Sequence, residues 1–194
     1  MQNEVLKTIL ARRSVRQYEK RQIDDEQLKA ILEAATWAPS GANNQSWLFT
    51  AIQNPEVLAK LNEYIRKTLI VWEPDEDYAP KLAIRSKAQK EDYNFFFNAP
   101  TFIVASNRSG YSNAMADCAA ALENIFLAAT SLGLASCWIN HLRWLTDDKE
   151  VRAYLYKLLN IPLEHVICGA AAIGYSTQTP EGKPRREGCI NIIK

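Results

Sequence analysis

Residues 113–132 constrain this chain most. Ala114, Cys118, Ala121, Leu122, Ile125, Ala129 and Leu132 recur along one side at the helical period. Many of them are small, so other helices can approach closely. The stripe belongs in a core or at a dimer contact, not beside a ligand. Asp117, Glu123 and Asn124 lie in the same run and make it a poor membrane span. Gly133 is a natural stop for the helix. Apolar runs at 101–106, 135–140 and 166–174 read as buried strands around it. Helices and strands mix without strict alternation, which predicts an α+β fold rather than a doubly wound α/β one.

Caps and periodicity mark the other elements. Leu6, Ile9 and Leu10 give a short amphipathic first helix, ending in Arg12-Arg13 where cations suit a helix C-terminus. Asp24 and Gln27 have the spacing of a capping box. Leu28, Ile31, Leu32 and Ala35 carry the next helix to about Trp37, and Pro39 and Gly41 end it. Residues 47–52 read as a strand, turned by Asn54-Pro55 into a helix over 55–67. Thr146 is expected to cap a helix with Asp147 and Asp148 in its first turn and Val151, Leu155, Leu158 and Leu159 inward. Residues 71–94 mix Pro74, Pro80, acids and aromatics. They read as a long loop with helical pieces, either a lid or a plain surface excursion. Residues 189–194 form a short apolar strand that has to pair on its own sheet or on a partner's. The chain has 194 residues and no repeat, linker or low-complexity segment, so one domain over 1–194 is expected.

With 47% hydrophobic and 23% charged residues and a net charge of +1, the composition is that of an ordinary globular protein. Such a chain has no field to gather nucleic acid or an anionic membrane. The N-terminus lacks the pattern of a signal peptide. Cys118, Cys137, Cys168 and Cys189 are widely spaced, with no Cys-x-x-Cys pair, so no metal site is expected. They read as reduced and mostly buried, which points to the cytoplasm. Glycine patterns for dinucleotides or nucleoside triphosphates are absent, as is a serine-hydrolase elbow. His141 follows an apolar strand, where it either touches a ligand or sits satisfied and half-buried. His165 reads as structural, which leaves a histidine-based hydrolase without support.

Two basic clusters remain, Arg12-Arg13-Ser14-Val15-Arg16 and Lys183-Pro184-Arg185-Arg186, with a polar turn at 38–47 between them. Arginine forks match phosphate bidentately, and the amides of Asn43, Asn44 and Gln45 suit the edge of a polar heterocycle. Taken singly, these are solvated arginines and an ordinary turn. Taken together, they suit a ligand with a phosphate at one end and a polar ring at the other. Acid–base side chains are few, so that ligand would carry the chemistry.

The first basic cluster and the segment Ala38-Pro39-Ser40-Gly41-Ala42-Asn43-Asn44-Gln45-Ser46-Trp47 resemble the opening of the FMN-dependent nitroreductase family. Asn98-Ala99-Pro100, Gly133-Leu134-Ala135-Ser136-Cys137-Trp138-Ile139, Gly174-Tyr175 and Lys183-Pro184-Arg185 follow in the matching order. The resemblance implies a nitroreductase-like fold, with a central mixed or antiparallel sheet flanked by helices, in an intertwined homodimer with its sites at the interface. It implies Arg12, Arg13 and Ser14 on the FMN phosphate and ribityl chain, with Lys183 and Arg185 closing on the phosphate. Arg16 would lie near the pyrimidine edge of the flavin, where negative charge appears on reduction. Pro39, Ser40, Gly41 and Asn43 would reach the FMN of the other subunit. Cys137 and Trp138, by backbone or side chain, would lie near the ring. The implied cycle is ping-pong: NADH or NADPH delivers electrons and leaves, and a small electron-poor acceptor such as a nitroaromatic or quinone takes them. FMN binding without turnover, as a sensor or store, and a different flavin reaction such as dehalogenation are the alternatives. Ser46 stands where the family usually has proline. Asp92 and Asn94 are the candidates for ring contact from the segment before Asn98.

Overall fold

Among the described residues, four strands form one sheet in the order β1-β2-β4-β3: β1 (Leu48–Ile52), β2 (Thr101–Arg108), β3 (Ala135–Ile139) and β4 (His165–Gly174). Every neighbouring pair is antiparallel. The computed structural model describes residues 3–73, 79–178 and 180–194. Side chains alternate between the two faces of a strand, and here both faces are covered. Phe102, Val104, Ala170 and Ala172 pack on one side with Leu61, Ile65, Phe95 and Leu155. Ile103, Ala105, Ala171 and Ile173 pack on the other with Ile31, Leu122 and Ile125. Double coverage explains why the central strands read as apolar runs and not as alternating patterns.

Seven helices are described: α1 (Glu4–Ala11), α2 (Asp25–Thr36), α3 (Pro55–Val71), α4 (Ala79–Ala88), α5 (Ala114–Ser131), α6 (His141–Leu145) and α7 (Lys149–Leu159). Local chemistry starts several of them. Asp24 accepts the Gln27 N–H at 2.7 Å while the Gln27 side chain accepts the Asp24 N–H at 3.2 Å, a complete capping box. Asn54 Oδ1 accepts from the amides of Glu56 and Val57. Pro55 then occupies the first turn of α3, where its missing N–H costs nothing. Leu58, Leu61, Ile65 and Leu69 form the buried stripe of α3. Full burial of each stabilises the fold by about 2 kcal/mol. The α5 stripe packs against α2 and β4, and its small residues allow that approach. Leu132, expected in this stripe, is the C-cap and is partly exposed.

Two expectations change, and the helical pieces expected within 71–94 gain their bounds. The cap before α7 is Asp148, whose carboxylate accepts from Glu150 and Val151 N–H at 2.8 and 3.0 Å; Thr146 instead ends α6. A carboxylate caps better than a threonine hydroxyl and also meets the helix dipole. Within 71–94, α3 runs on to Val71 and α4 occupies Ala79–Ala88, while 74–78 lies outside the described residues. Residues 189–194 form no strand in this chain, and Ile190, Ile192 and Ile193 are 80%, 72% and 91% exposed. Apolar content favours a strand, but a strand forms only when its backbone pairs with an edge, and among the described residues this segment pairs with none. No described helix is long and apolar enough to cross a membrane.

Candidate functional site

The arginine segment begins where α1 ends. Arg12 leaves the helical conformation at ψ 131° after donating its N–H to Thr8 O. The chain then runs extended along the free edge of β3. Ser14 pairs in parallel with Ser136, and Val15 N–H donates to Ser136 O at 2.9 Å. Val15 is buried and anchors this run. Tyr18 Oη lies 2.9 Å from Val15 O and 3.2 Å from Ala172 O, tying the segment to β4. Glu19 N–H donates to Tyr175 O, and Gln178 Nε2 donates to Gln17 Oε1 at 2.6 Å. Residues 14–19 thereby lie across the end of the sheet, close to the start of the C-terminal segment.

Arg13 joins the two basic clusters. Its Nη1 donates to the carbonyls of Leu10 and Arg12 at 2.6 and 2.7 Å. Gly182 approaches the guanidinium so closely that a Cβ there would collide with Nη2. A side chain at 182 would have to displace the guanidinium, and the exposed Lys183 and Arg185 follow directly in the chain. Arg13 Nε is buried without a partner, as is Ser136 Oγ on the adjoining strand. Buried polar groups are nearly always satisfied, so these two orphans beside the arginines are the candidate contacts for an anionic oxygen ligand. Arg12 sits 3.7 Å from Glu123 of α5 and keeps part of its surface exposed.

Arg16 faces a separate hollow. Its guanidinium lies 5.9 Å from the Phe97 ring centroid. A cavity of about 420 Å³ there is lined by Arg16, Tyr18, Tyr93, Asn94, Phe97 and Asn98, and by the charged Lys87, Lys90 and Asp92. Both residues suggested as ring contacts, Asp92 and Asn94, are thus on this wall. Asn94 Oδ1 accepts from the Phe96 and Asn98 amides, each at 3.0 Å, leaving its NH2 as the remaining donor group. Phe97 and Asn98 both hold positive φ, 62° and 57°. A bulky residue in that region is uncommon and accompanies functional turns. Tyr18, Tyr93 and Phe97 had no motif to announce them; the signal available in the sequence was Asn98-Ala99-Pro100, which forces a turn next to an aromatic run.

Cys137 is buried on the Tyr18 side of the sheet. Burial pushes its thiol up, and the Arg16 and Arg12 guanidiniums offset part of that. It is a packed thiol within the field of both arginines. Trp138 points the other way, against Phe126, with Nε1 donating to Asn140 Oδ1 at 2.6 Å. The Trp138 side chain is therefore turned away from the arginine side, which only its backbone can serve. His165 is structural, with Nδ1 3.1 Å from Ser106 Oγ. His141 is buried rather than half-buried, with Nε2 3.1 Å from Tyr93 Oη.

The polar turn lies elsewhere. Gly41 N–H donates to both Asp117 carboxylate oxygens at 3.2 and 3.3 Å, and Tyr111 Oη donates to Gly41 O or Asp117. A Cβ at Gly41 would collide with Asn113 and Tyr111. Ala42, Asn43 and Gln45 all have positive φ, and Ser40 Oγ accepts the Gln45 N–H. The turn is thus a fixed, strained shape presenting exposed Pro39 and Asn43. It leads into Leu48, which pairs with Ser106, whereas Ser14 pairs with Ser136, itself opposite Ile173. Those positions are diagonal corners of the sheet. Three strand spacings alone separate the edges by about 14 Å. Among the described residues, no hydrogen bond or ion pair joins Pro39, Ser40, Gly41 or Asn43 to the arginine segment.

An antiparallel sheet covered by helices on both faces thus carries an arginine cluster at one corner and, beside Arg16, an aromatic-walled hollow. The family model described as Nitroreductase family matches residues 9–175, and the chain belongs to that family. The crystal structure of a nitroreductase with bound FMN from Bacteroides fragilis aligns at a TM-score of 0.88, 44% identical and covering 100% of both chains. A nitroreductase with bound FMN from Desulfitobacterium hafniense aligns at 0.85, 28% identical, again over 100% of both. The FMN reductase (NAD(P)H) of Bacillus subtilis is 30% identical, with the match covering 94% of this chain and 70% of that protein.

Proposed function

We propose that this protein is a homodimeric FMN oxidoreductase that takes electrons from NAD(P)H and passes them to small electron-poor acceptors such as nitroaromatics or quinones. The observation that carries the reading is Arg13, fixed under Gly182 with a buried, unpartnered Nε. A phosphate would supply the acceptor that this donor lacks. FMN, bound by relatives of this fold, supplies the phosphate and the redox ring. In this reading Arg12, Arg13, Ser14, Lys183 and Arg185 hold the phosphate and ribityl end. Arg16 supplies positive charge beside the ring and favours its reduced, more negative state by preorganised electrostatics. Asn94 and the aromatic wall orient the ring, and the backbone at Cys137 and Trp138 closes its inner side. The location is cytoplasmic, in keeping with free, buried Cys118, Cys137 and Cys168.

The test is a visible spectrum of the purified protein, then anaerobic titration with NADH or NADPH. Flavin bands should bleach with reductant and return with a nitroaromatic or quinone. A colourless protein that takes up no added FMN would sink the reading. A yellow protein that no nicotinamide bleaches would be a store or sensor.

Three features support the dimer. α1 exposes Val5, Leu6, Ile9 and Leu10, and Trp37 is 79% exposed. The 189–194 tail carries its isoleucines into solvent. Apolar surface of this kind marks an interface. The Pro39–Asn43 turn, remote from its own arginines, would complete the partner's site. Removal of 189–194 should therefore shift the protein toward monomer and lower its FMN content together. Light scattering and the flavin-to-protein absorbance ratio read both, and a fully yellow monomer would overturn the shared site.

A further inference from the structure

Tyr93 and His141 form a hydrogen-bonded pair at the wall of the Arg16 cavity. Tyr93 lines the Arg16 cavity, and its Oη lies 3.1 Å from His141 Nε2. His141 is 8% exposed, packed among Phe95, Leu142 and Trp144. Its Nδ1 is buried without a partner. Burial lowers its pKa to about 4, so the ring is neutral and carries one N–H. Two tautomers are available. A proton on Nδ1 would bury an orphan N–H donor, the rarest and costliest of unsatisfied groups, whereas a proton on Nε2 leaves only a lone pair unmet. The second is favoured. Nε2–H then donates to Tyr93 Oη, and the phenol cannot give its own proton back to the histidine. The phenol stays protonated, because burial pushes its pKa up to about 12. Among the described residues no other partner for its O–H is found.

We propose that His141 fixes Tyr93 as a one-way hydrogen-bond donor into the Arg16 cavity, where it binds and polarises the reducible oxygen of a quinone carbonyl or nitro acceptor. This rests on the flavin reading of the preceding section and names the substrate feature that the site selects. Tyr93 donates a hydrogen bond and transfers neither electrons nor its proton. His141 acts through it, as a positioning residue. A neutral donor flanked by Arg16 favours oxygen that gains negative charge as electrons arrive, and gives no advantage to an acceptor lacking such an oxygen.

Two measurements test this on the FMN-loaded protein. The chain has 2 histidines, so a long-range proton–nitrogen spectrum resolves both rings at neutral pH. His141 should show the Nε2–H tautomer, and an Nδ1–H tautomer would overturn the proposal. In Tyr93→Phe, kcat/KM for p-benzoquinone relative to ferricyanide, which needs no hydrogen bond to a reducible oxygen, should fall roughly tenfold or more, the range for one hydrogen bond to a developing charge. His141→Gln, whose amide still offers a donor to Tyr93, should restore much of the ratio that His141→Leu loses. If Tyr93→Phe is yellow, is bleached by nicotinamide and keeps the wild-type ratio, the Tyr93 role fails while the flavin reading stands. If the wild type takes up no FMN, both fail together.

Discussion

Arg13→Ala is expected to leave a folded protein that holds FMN roughly a hundredfold more weakly, about 3 kcal/mol. The magnitude follows from what the guanidinium does. Its Nη1 is committed to the Leu10 and Arg12 carbonyls, so the fork is held before any ligand arrives. Its Nε is buried and unmatched, and Gly182 closes over Nη2. A preorganised donor loses little entropy on binding, and removing it leaves the phosphate charge without its partner. Arg13→Lys should recover only part, because an ammonium cannot reproduce the planar fork. Arg16→Ala should behave differently. It should retain FMN but lower its reduction potential by about 30 mV, equivalent to a tenfold preference lost by the reduced form. Fluorescence titration of apoprotein with FMN, followed by potentiometry, separates the two. Equal flavin affinity in wild type and Arg13→Ala would remove Arg13 from the phosphate site.

The second large effect is on stability. The folded pKa of His141 falls from the ordinary 6.5 to about 4, through burial. In the unfolded chain the ring charges as pH drops below 6.5, while in the fold it stays neutral until about 4. Between those values the unfolded state binds the extra proton, so stability is lost as pH falls, and is fully present above 6.5. The loss amounts to about 2 kcal/mol by pH 5 and roughly 3 by pH 4. His165, also lowered by burial, contributes with the same sign. Urea unfolding at about pH 7 and pH 5 measures this. His141→Leu should flatten most of the difference. A pH slope unchanged by that substitution would place the linkage elsewhere.

Local order was largely legible in the sequence. The Asp24–Gln27 box, the Asn54-Pro55 start and the α5 stripe each rest on neighbours a few residues apart, so a pattern suffices to read them. The Thr146 assignment failed because three capping residues, Thr146, Asp147 and Asp148, stand in a row and only the path of the chain chooses among them. Tail residues 189–194 read as a strand for a sound reason, yet pairing depends on an edge that lies outside their own sequence. The site was legible as a set of groups: two basic clusters and a polar turn in a telling order. Its geometry was not. That Gly182 seats on Arg13, that Ser14 pairs with Ser136, and that Tyr93 meets His141 across 48 positions are long-range facts.

The sequence by itself determined the α+β character, the family and the kinds of side chain available to hold a phosphate and a ring. These follow from periodicity, capping and charge, which act over one or two turns of chain. Only the tertiary structure decided where the two basic clusters meet and which arginine stands apart. It put Arg13 and Lys183 at one corner of the sheet and the Pro39–Asn43 turn at the opposite one. It also left two buried polar atoms unmet beside the arginines. The reason is physical: antiparallel pairing of β1, β2, β4 and β3 sets distances that no local propensity encodes, and burial gives each of those polar groups its cost only once the sheet is closed over by helices.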